Sequence, residues 1–378
     1  MSEPIRVAHV MGKMVGGGLE QVVMNYYRHI DRSRVQFDFI VDSDSTLIPY
    51  EEIETLGGRV FIVPPYQHPL AYQKALVPLF REQGWRIVHS HENTLSVFPL
   101  GAAKRAGVPV RIAHSHATAG KGELARNAMK YALRPFSNLN PTHRLACSEH
   151  AGKWLFGSKD FDVLINAFDV DEFRFDESAR TMFRQTHGID KATFVFGHAG
   201  RFAPPKNQAM LIRIFARVAA ERPESVLVLA GEGPELELCR DLTGALGIED
   251  RVVFAGRCSD MAAFYSGIDT FLLPSTYEGL GLVLVEAQAA GLPCLASSAV
   301  PQDANPTGEV CFVPYSDHKT WASLMLSAKR RADRSLSAKE IGGLAHFDIR
   351  TAASRLVSYY EQLSKSLCAR CQIESGER

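Results

Sequence analysis

The chain has 378 residues, 46% of them hydrophobic and 22% charged, more than one hydrophobic core usually supports, so two domains are expected. Lys plus Arg (42) balances Asp plus Glu (42); no global field draws this surface to nucleic acid, and an anionic ligand has to be gripped by a few placed groups. The opening MSEPIRVAHVM lacks the n-region and long h-region of a secretory signal, and no apolar stretch approaches the roughly 20 residues that span a bilayer, so a soluble, cytosolic protein is expected.

Short β-branched runs alternate with stretches of helical periodicity: IRVAHVM (5–11), FDFIV (37–41), RVFIV (59–63), RIVHSH (86–91), VRIAHSH (110–116) and RLACS (144–148). This alternation signals βαβ units and a parallel sheet covered on both faces. Between the first strand and the helical EQVVMNYYRHI lie three glycines, GGGLE, where backbone N–H groups and a helix start could hold a phosphate. The pattern is neither G-x-G-x-x-G nor a P-loop, so a plain turn is the alternative.

Two strands end alike, HSHEN (89–93) and HSHAT (114–118). Alternation puts His89 and His91 on one face and His114 and His116 on the equivalent face of the other strand. A zinc site would need further ligands from other strand ends. None is found in the second half, so no metal is expected. His91, Glu92 and Asn93 are candidates for shaping a ligand pocket, or are hydrogen-bonded loop residues.

The strand pattern restarts after an acidic stretch near residue 170: FVFGHAGR (194–201), SVLVLAGEG (225–233), RVVFAGR (251–257), DTFLLPS (269–275) and PCLASS (293–298). The fold class expected is therefore α/β, with two facing Rossmann-like domains and a cleft between them, spanning 1–169 and 170–348. Past Asp348 a helix over 349–366 is expected to pack back on the first domain, and CARCQIESGER to fray. Of the seven cysteines, Cys147, Cys239, Cys258, Cys294 and Cys311 lie in or beside apolar runs and are expected to be reduced, structural and to act as small hydrophobes. The C-x-x-C of Cys368 and Cys371 sits in a polar tail, without the strand and helix start of a redox motif.

In the second half, GRFAPPKN offers Arg201 as a fork and Lys206 as a point charge at one strand end, a clamp for a diphosphate or else a solvated basic loop. The stretch PSTYEGLGLVLVEAQAAGLP (274–293) holds Glu278 and Glu286 eight positions apart. Apolar periodicity starts a helix just after Gly281, which leaves Glu278 in the preceding loop, the N–H groups of Gly279, Leu280 and Gly281 exposed to a ligand, and Glu286 inside the helix. Carboxylates suit vicinal hydroxyls, since each accepts two protons; otherwise Glu278 belongs to a turn and Glu286 to a buried ion pair.

The glycine loop GGGLE, the R-x4-K of GRFAPPKN, GEGPE (231–235) and the E-x7-E of YEGLGLVLVEAQAAGLP, in this order, resemble the retaining GT-B glycosyltransferases of family 4, in their bacterial exopolysaccharide and capsule branch. The resemblance extends from His9 to about residue 365. It implies a nucleotide-diphospho-sugar donor, a UDP-sugar, held by the C-terminal domain, a glycan or lipid-linked acceptor held by the N-terminal domain at His91, Glu92 and Asn93, and no cofactor or required metal. It further implies that Arg201 and Lys206 hold the diphosphate, Glu278 touches the donor sugar near Gly279, Leu280 and Gly281, and Glu286 accepts from the ribose. Arg257, in RCSDM, would meet the base through its backbone; Gly17 and Gly18 would close on the phosphates; His116, later in its strand than His114, would be the polar group at the reacting sugar. A lipid-linked acceptor would bring the first domain to the membrane surface. The alternatives are a non-hydrolysing nucleotide-sugar 2-epimerase and an H-x-H metal-dependent deacylase; a dinucleotide oxidoreductase lacks its fingerprint.

Overall fold

The computed structural model of the chain describes residues 3–116 and 124–376. It divides into two compact units, one holding the residues up to Phe168 together with those from Phe347 onward, the other Asp169–His346.

The first unit is built on seven strands: β1 (Ile5–Gly12), β2 (Val35–Asp42), β3 (Arg59–Val63), β4 (Ile87–Ser90), β5 (Val110–Ser115), β6 (His143–Ala146) and β7 (Asp162–Val163). They lie in the order β3-β2-β1-β4-β5-β6-β7, and every pair is parallel. All eight residues of β2 and all four of β4 are buried, as expected where helices cover both faces of a parallel sheet. Val10, Ile40, Val88 and Ala113 on one face meet Tyr72, Leu76, Phe80 and Leu100 from the helices. Asp38, fully buried in β2, is an exception to that apolar filling; Arg6, Arg59 and the Trp85 indole N–H at 2.7 Å all donate to it.

The helix Ile349–Gly376 belongs to this unit and buries Ala353, Leu356, Val357 and Tyr360. The Tyr360 hydroxyl lies 2.7 Å from Nδ1 of His89, and Arg34 pairs with Glu361 at 2.9 Å. The helix runs on through Gly376, past the point where fraying is expected; among the side chains described, Leu363 is its last buried one. The side chains of Cys368 and Cys371 lie outside those described.

The second unit repeats the plan with β8 (Phe194–Ala199), β9 (Ser225–Ala230), β10 (Val252–Gly256), β11 (Thr270–Leu273), β12 (Cys294–Ser297) and β13 (Val310–Val313). Their order, β10-β9-β8-β11-β12-β13, is again wholly parallel. In both sheets the order reverses direction beside the first strand, at β1/β4 and at β8/β11. Ligands of open α/β sheets bind at such switch points, outside the carboxyl ends of the strands. The core packs Phe196, Leu227, Leu229 and Leu272 against Leu211, Phe215 and Trp321.

Two strands escape the sequence pattern: β7 has two exposed residues, and β13 is an edge strand with Cys311 exposed. Cys311 therefore departs from the expected buried role, whereas Cys147, Cys239 and Cys294 are buried. Among the described residues no helix is long and apolar enough to cross a membrane.

Candidate active site

In the second unit the residues singled out by spacing converge at the β8/β11 switch point. Leaving β8, the chain turns through Pro204–Lys206 into the helix Gln208–Glu221; leaving β11, it runs through Ser275 to the helix Leu282–Ala289. The two loops are tied by the Thr276 N–H donating to Pro205 O at 2.8 Å and by the Asn207 amide donating to Pro274 O at 3.3 Å. That tie brings Nζ of Lys206 to 2.6 Å from Oε1 of Glu278, and the Ser275 hydroxyl donates to the same oxygen at 2.7 Å. Both partners are largely withdrawn from solvent, Glu278 with 9% of its side chain exposed.

Beneath them His198 is buried in β8, with Nδ1 2.9 Å from Leu272 O, and burial drives it down to about 4, so its ring is neutral. Arg201 is exposed on the same loop and makes no ion pair among the described residues. A second turn supports its backbone: a Cβ on Gly231, at φ +136°, would stand 2.1 Å from Gly200 O, and one on Gly233 2.3 Å from Phe202 O. Only glycine fits there, which accounts for GEGPE.

Gly281 caps the helix Leu282–Ala289 at φ +86°, a conformation that costs glycine little. The helix start thus stands next to Glu278, with Gly279 half-buried and the Leu280 side chain packed inward, so Leu280 offers a ligand its backbone alone. Glu286 lies on the next turns. Its partner is the Tyr265 hydroxyl, which donates to Oε2 at 2.8 Å, rather than the cation of a buried ion pair. Burial pushes Glu286 up to about 7, Tyr265 pulling the other way and Glu172 adding to the rise. Arg257 is exposed just past the end of β10.

The first unit gathers its polar groups at the β1/β4 switch point and the neighbouring β5. His9, His89, His91, His114 and His116 form one cluster: Nδ1 of His9 lies 2.9 Å from Nε2 of His91, Nδ1 of His91 2.9 Å from Nε2 of His116, and Nε2 of His89 3.1 Å from Nδ1 of His114. All but His116 are buried, and His116, just past β5, is half-buried. Burial drives His9 and His116 down to about 3 and the other three well below the usual imidazole range, so all five are neutral near pH 7.

Beside the cluster, Glu92 is pushed up to about 8 by burial and by the charge of Asp42, and accepts from the Tyr72 hydroxyl at 3.1 Å. Asp42, at the end of β2, is itself raised to about 6 by burial, and neither of its oxygens has a hydrogen bond of full geometry. The Asn93 side chain accepts from the His116 N–H at 2.8 Å. Gly17 caps the helix Gly18–His29, and there the Glu20 carboxylate already accepts from the Val15 N–H at 3.0 Å and the Gly17 N–H at 2.7 Å. The glycine loop is therefore lined by a carboxylate of its own, and an anion would have to displace it.

Sequence reasoning missed His9, Asp42, His198, Tyr265 and Ser275. Ser275 carried a signal, since it lies inside the same PSTYEG run as Glu278; His9 meets His89 only through the pairing of β1 with β4. Nothing in the sequence alone ties Asp42 or Tyr265 to its neighbours.

Residues 17–158 match the model of the glycosyl transferase 4-like domain, and residues 179–329 that of glycosyl transferases group 1. The chain is 36% identical over 307 residues to the putative glycosyltransferase EpsF of Bacillus subtilis (strain 168), covering 79% of this chain and 80% of that one. It is 24% identical over 313 residues, 78% of this chain and 79% of the relative, to the UDP-Gal:alpha-D-GlcNAc-diphosphoundecaprenol alpha-1,3-galactosyltransferase of Escherichia coli. In fold it is similar to the crystal structure of Anabaena Alr3699/HepE in complex with UDP and glucose, with a TM-score of 0.77 at 20% identity over 97% of this chain and 100% of that one.

Proposed function

Because the chain belongs to the glycosyltransferases and has the two-domain GT-B fold, we propose that it moves a sugar, with retention of configuration, from a UDP-sugar to a glycan or lipid-linked acceptor in the making of exopolysaccharide, capsule or another surface polysaccharide. The observation that carries the donor side is the contact of Lys206 with Glu278 at 2.6 Å, made by two loops 72 residues apart in sequence. A diphosphate entering there takes Lys206 and Arg201 as its cations and releases Glu278 to accept from sugar hydroxyls. The N–H groups of Gly279, Leu280 and Gly281 border the same sugar. Glu286 accepts from the ribose, the backbone at Arg257 meets the base, and Gly17 and Gly18 approach the phosphates once Glu20 yields.

The chemistry follows from charge. Breaking the glycosyl–phosphate bond leaves a nucleoside diphosphate, and fixed cations at that oxygen stabilise the charge as it develops, so no metal is needed for transfer. Retention then proceeds on one face of the sugar, with the leaving phosphate taking the acceptor proton. The first unit binds the acceptor through His91, Glu92 and Asn93, and His116 is the polar group offered to the reaction. The homology to EpsF and to an enzyme named for a diphosphoundecaprenol acceptor supports the pathway and a peripheral place at the membrane.

The test is UDP release from a panel of UDP-sugars, with and without EDTA, and the anomeric configuration of the product by NMR. Lys206→Ala and Glu278→Ala are each expected to lower transfer by at least ~100-fold with the fold intact. Wild-type turnover in either variant, or activity abolished by chelation, contradicts the reading.

A further inference from the structure

The transfer reaction proposed above uses His91 and His116 of the five clustered histidines, and the geometry of the cluster has its own consequence. One ring nitrogen each from His91, His114 and His116 lie within 4.8 Å of one another. The three stand at the ends of two neighbouring parallel strands, so backbone hydrogen bonding rather than side-chain chance holds them together. The closest pair, Nδ1 of His91 and Nε2 of His116, is 2.9 Å apart. Zinc bonded to imidazole at about 2.0–2.1 Å in a tetrahedron spaces its nitrogens by about 3.3 Å, so a shift of a few tenths of an ångström converts this proton-sharing contact into two ligands.

The surroundings match what metal-bound imidazoles require of their second nitrogens. Nε2 of His91 is held by His9 at 2.9 Å, and Nδ1 of His114 by His89 at 3.1 Å. His116 turns Nδ1 toward the Asn166 side chain, and both Nδ1 of His116 and Oδ1 of Asn166 are buried without a hydrogen bond of full geometry. His114 faces the Leu164 backbone, and its Nε2 is buried without a hydrogen bond of full geometry. An all-imidazole set selects zinc, nickel, copper or cobalt over magnesium, calcium and manganese.

We propose that His91, His114 and His116 form a latent transition-metal site, and that a zinc-class ion bound there withdraws His116 from the reaction and inhibits transfer. His9, His89 and Asn166 are positioning residues for the three ligands. A hydroxide as fourth ligand would lower the net charge taken into the sheet. No catalytic step runs through the ion; it acts by occupancy. The inhibition rests on the glycosyltransferase reading, whereas the binding does not.

Two measurements separate them. Metal-free protein is titrated with Zn²⁺ by calorimetry and with Co²⁺ by visible absorption, which reports tetrahedral coordination. A single equivalent with tetrahedral Co²⁺ bands is expected, and affinity at least ~100-fold weaker in both His114→Gln and His116→Asn. UDP release is then followed with Zn²⁺ and after EDTA: wild type is inhibited and recovers, while His114→Gln transfers at the wild-type rate within about threefold and resists Zn²⁺. If either variant fails to fold, the other and the Co²⁺ spectrum of the wild type still decide. Absence of tetrahedral Co²⁺ bands, or unchanged Zn²⁺ affinity in a folded variant, overturns the site. Stoichiometric Zn²⁺ with undiminished transfer overturns the inhibition. A protein that releases UDP from no donor but binds Zn²⁺ refutes the proposed function and leaves the site standing.

Discussion

Glu286 holds a proton that most glutamates give up. Its ordinary value is 4.5, and burial lifts it to about 7 in the fold. The native state therefore binds this proton more tightly than the unfolded chain does, so the stability it lends is full below about 4.5 and lost as pH rises through 7. After allowance for its partial exposure, the cost at pH 8 is ~2 kcal/mol. Glu286→Gln is accordingly expected to raise the melting temperature at pH 8 and hardly at all at pH 4.5, while weakening UDP binding about tenfold if the carboxylate serves the ribose. Equal gains at the two pH values would refute the burial argument. A residue that costs stability where it stands is the kind of group that function retains.

That carboxylate also shows where sequence stops being legible. A glutamate inside VLVEAQAAGLP advertises a buried charge in need of a partner, and the charge rule nominates an arginine or lysine. The partner is instead the hydroxyl of Tyr265, on another helix. Lys206 and Glu278 are the converse case. Each was visible as a candidate from its place after a strand, because strand ends are where open α/β sheets put their chemistry. Their 2.6 Å contact was not, since it depends on β8 and β11 being neighbours, and 72 residues separate the pair.

At the scale of elements, Asp269 organises the second unit. It stands just ahead of β11, fully buried at its side chain, and accepts from Arg180 at 2.6 Å, Arg184 at 2.8 Å, Arg330 at 3.0 Å and the Val195 N–H at 2.9 Å. Burial pushes the carboxyl up, but Arg184 and Arg180 outweigh it and hold it below its usual range. The helix Glu177–Thr186, β8 and the segment at Arg330 are thereby fastened to one carboxylate. Asp269→Ala leaves two buried guanidinium groups unpaired and is expected to destabilise the unit by about 3–5 kcal/mol in urea unfolding; a loss under ~1 kcal/mol would show that backbone carbonyls alone satisfy them. The short edge strands are the other lesson here. Apolar runs revealed every interior strand and the edge strands β3 and β10 besides, whereas β7 has only two residues, both exposed, and β13 is an edge strand with Cys311 turned outward.

For the whole molecule the consequential element is the helix Ile349–Gly376, which the chain adds to the first unit after completing the second. Burying Leu356, Val357, Tyr360 and Leu363 is worth about 1.5–3 kcal/mol apiece, comparable to the 5–15 kcal/mol by which a domain is stable at all. A fragment of residues 1–168 is expected to lack a cooperative thermal transition and to acquire one when 347–378 is supplied in trans, whereas 169–346 should melt cooperatively alone. Cooperative melting of 1–168 by itself would show the helix to be dispensable.

What the sequence determined by itself is local: which runs are strands, because a doubly covered strand is apolar on both faces; where helices begin, because Gly281 and the glycine loop leave few other conformations; and which charges stand at strand ends. Family membership was legible for the same reason, since E-x7-E is set by one loop and the helix behind it. Tertiary structure alone decided what those charges meet. Strand order brought His9 from β1 to the two H-x-H strands, put Lys206 against Glu278 and gave Glu286 a tyrosine. The order of strands in a sheet is fixed by the packing of whole faces, a sum over many weak contacts that no single stretch of residues records.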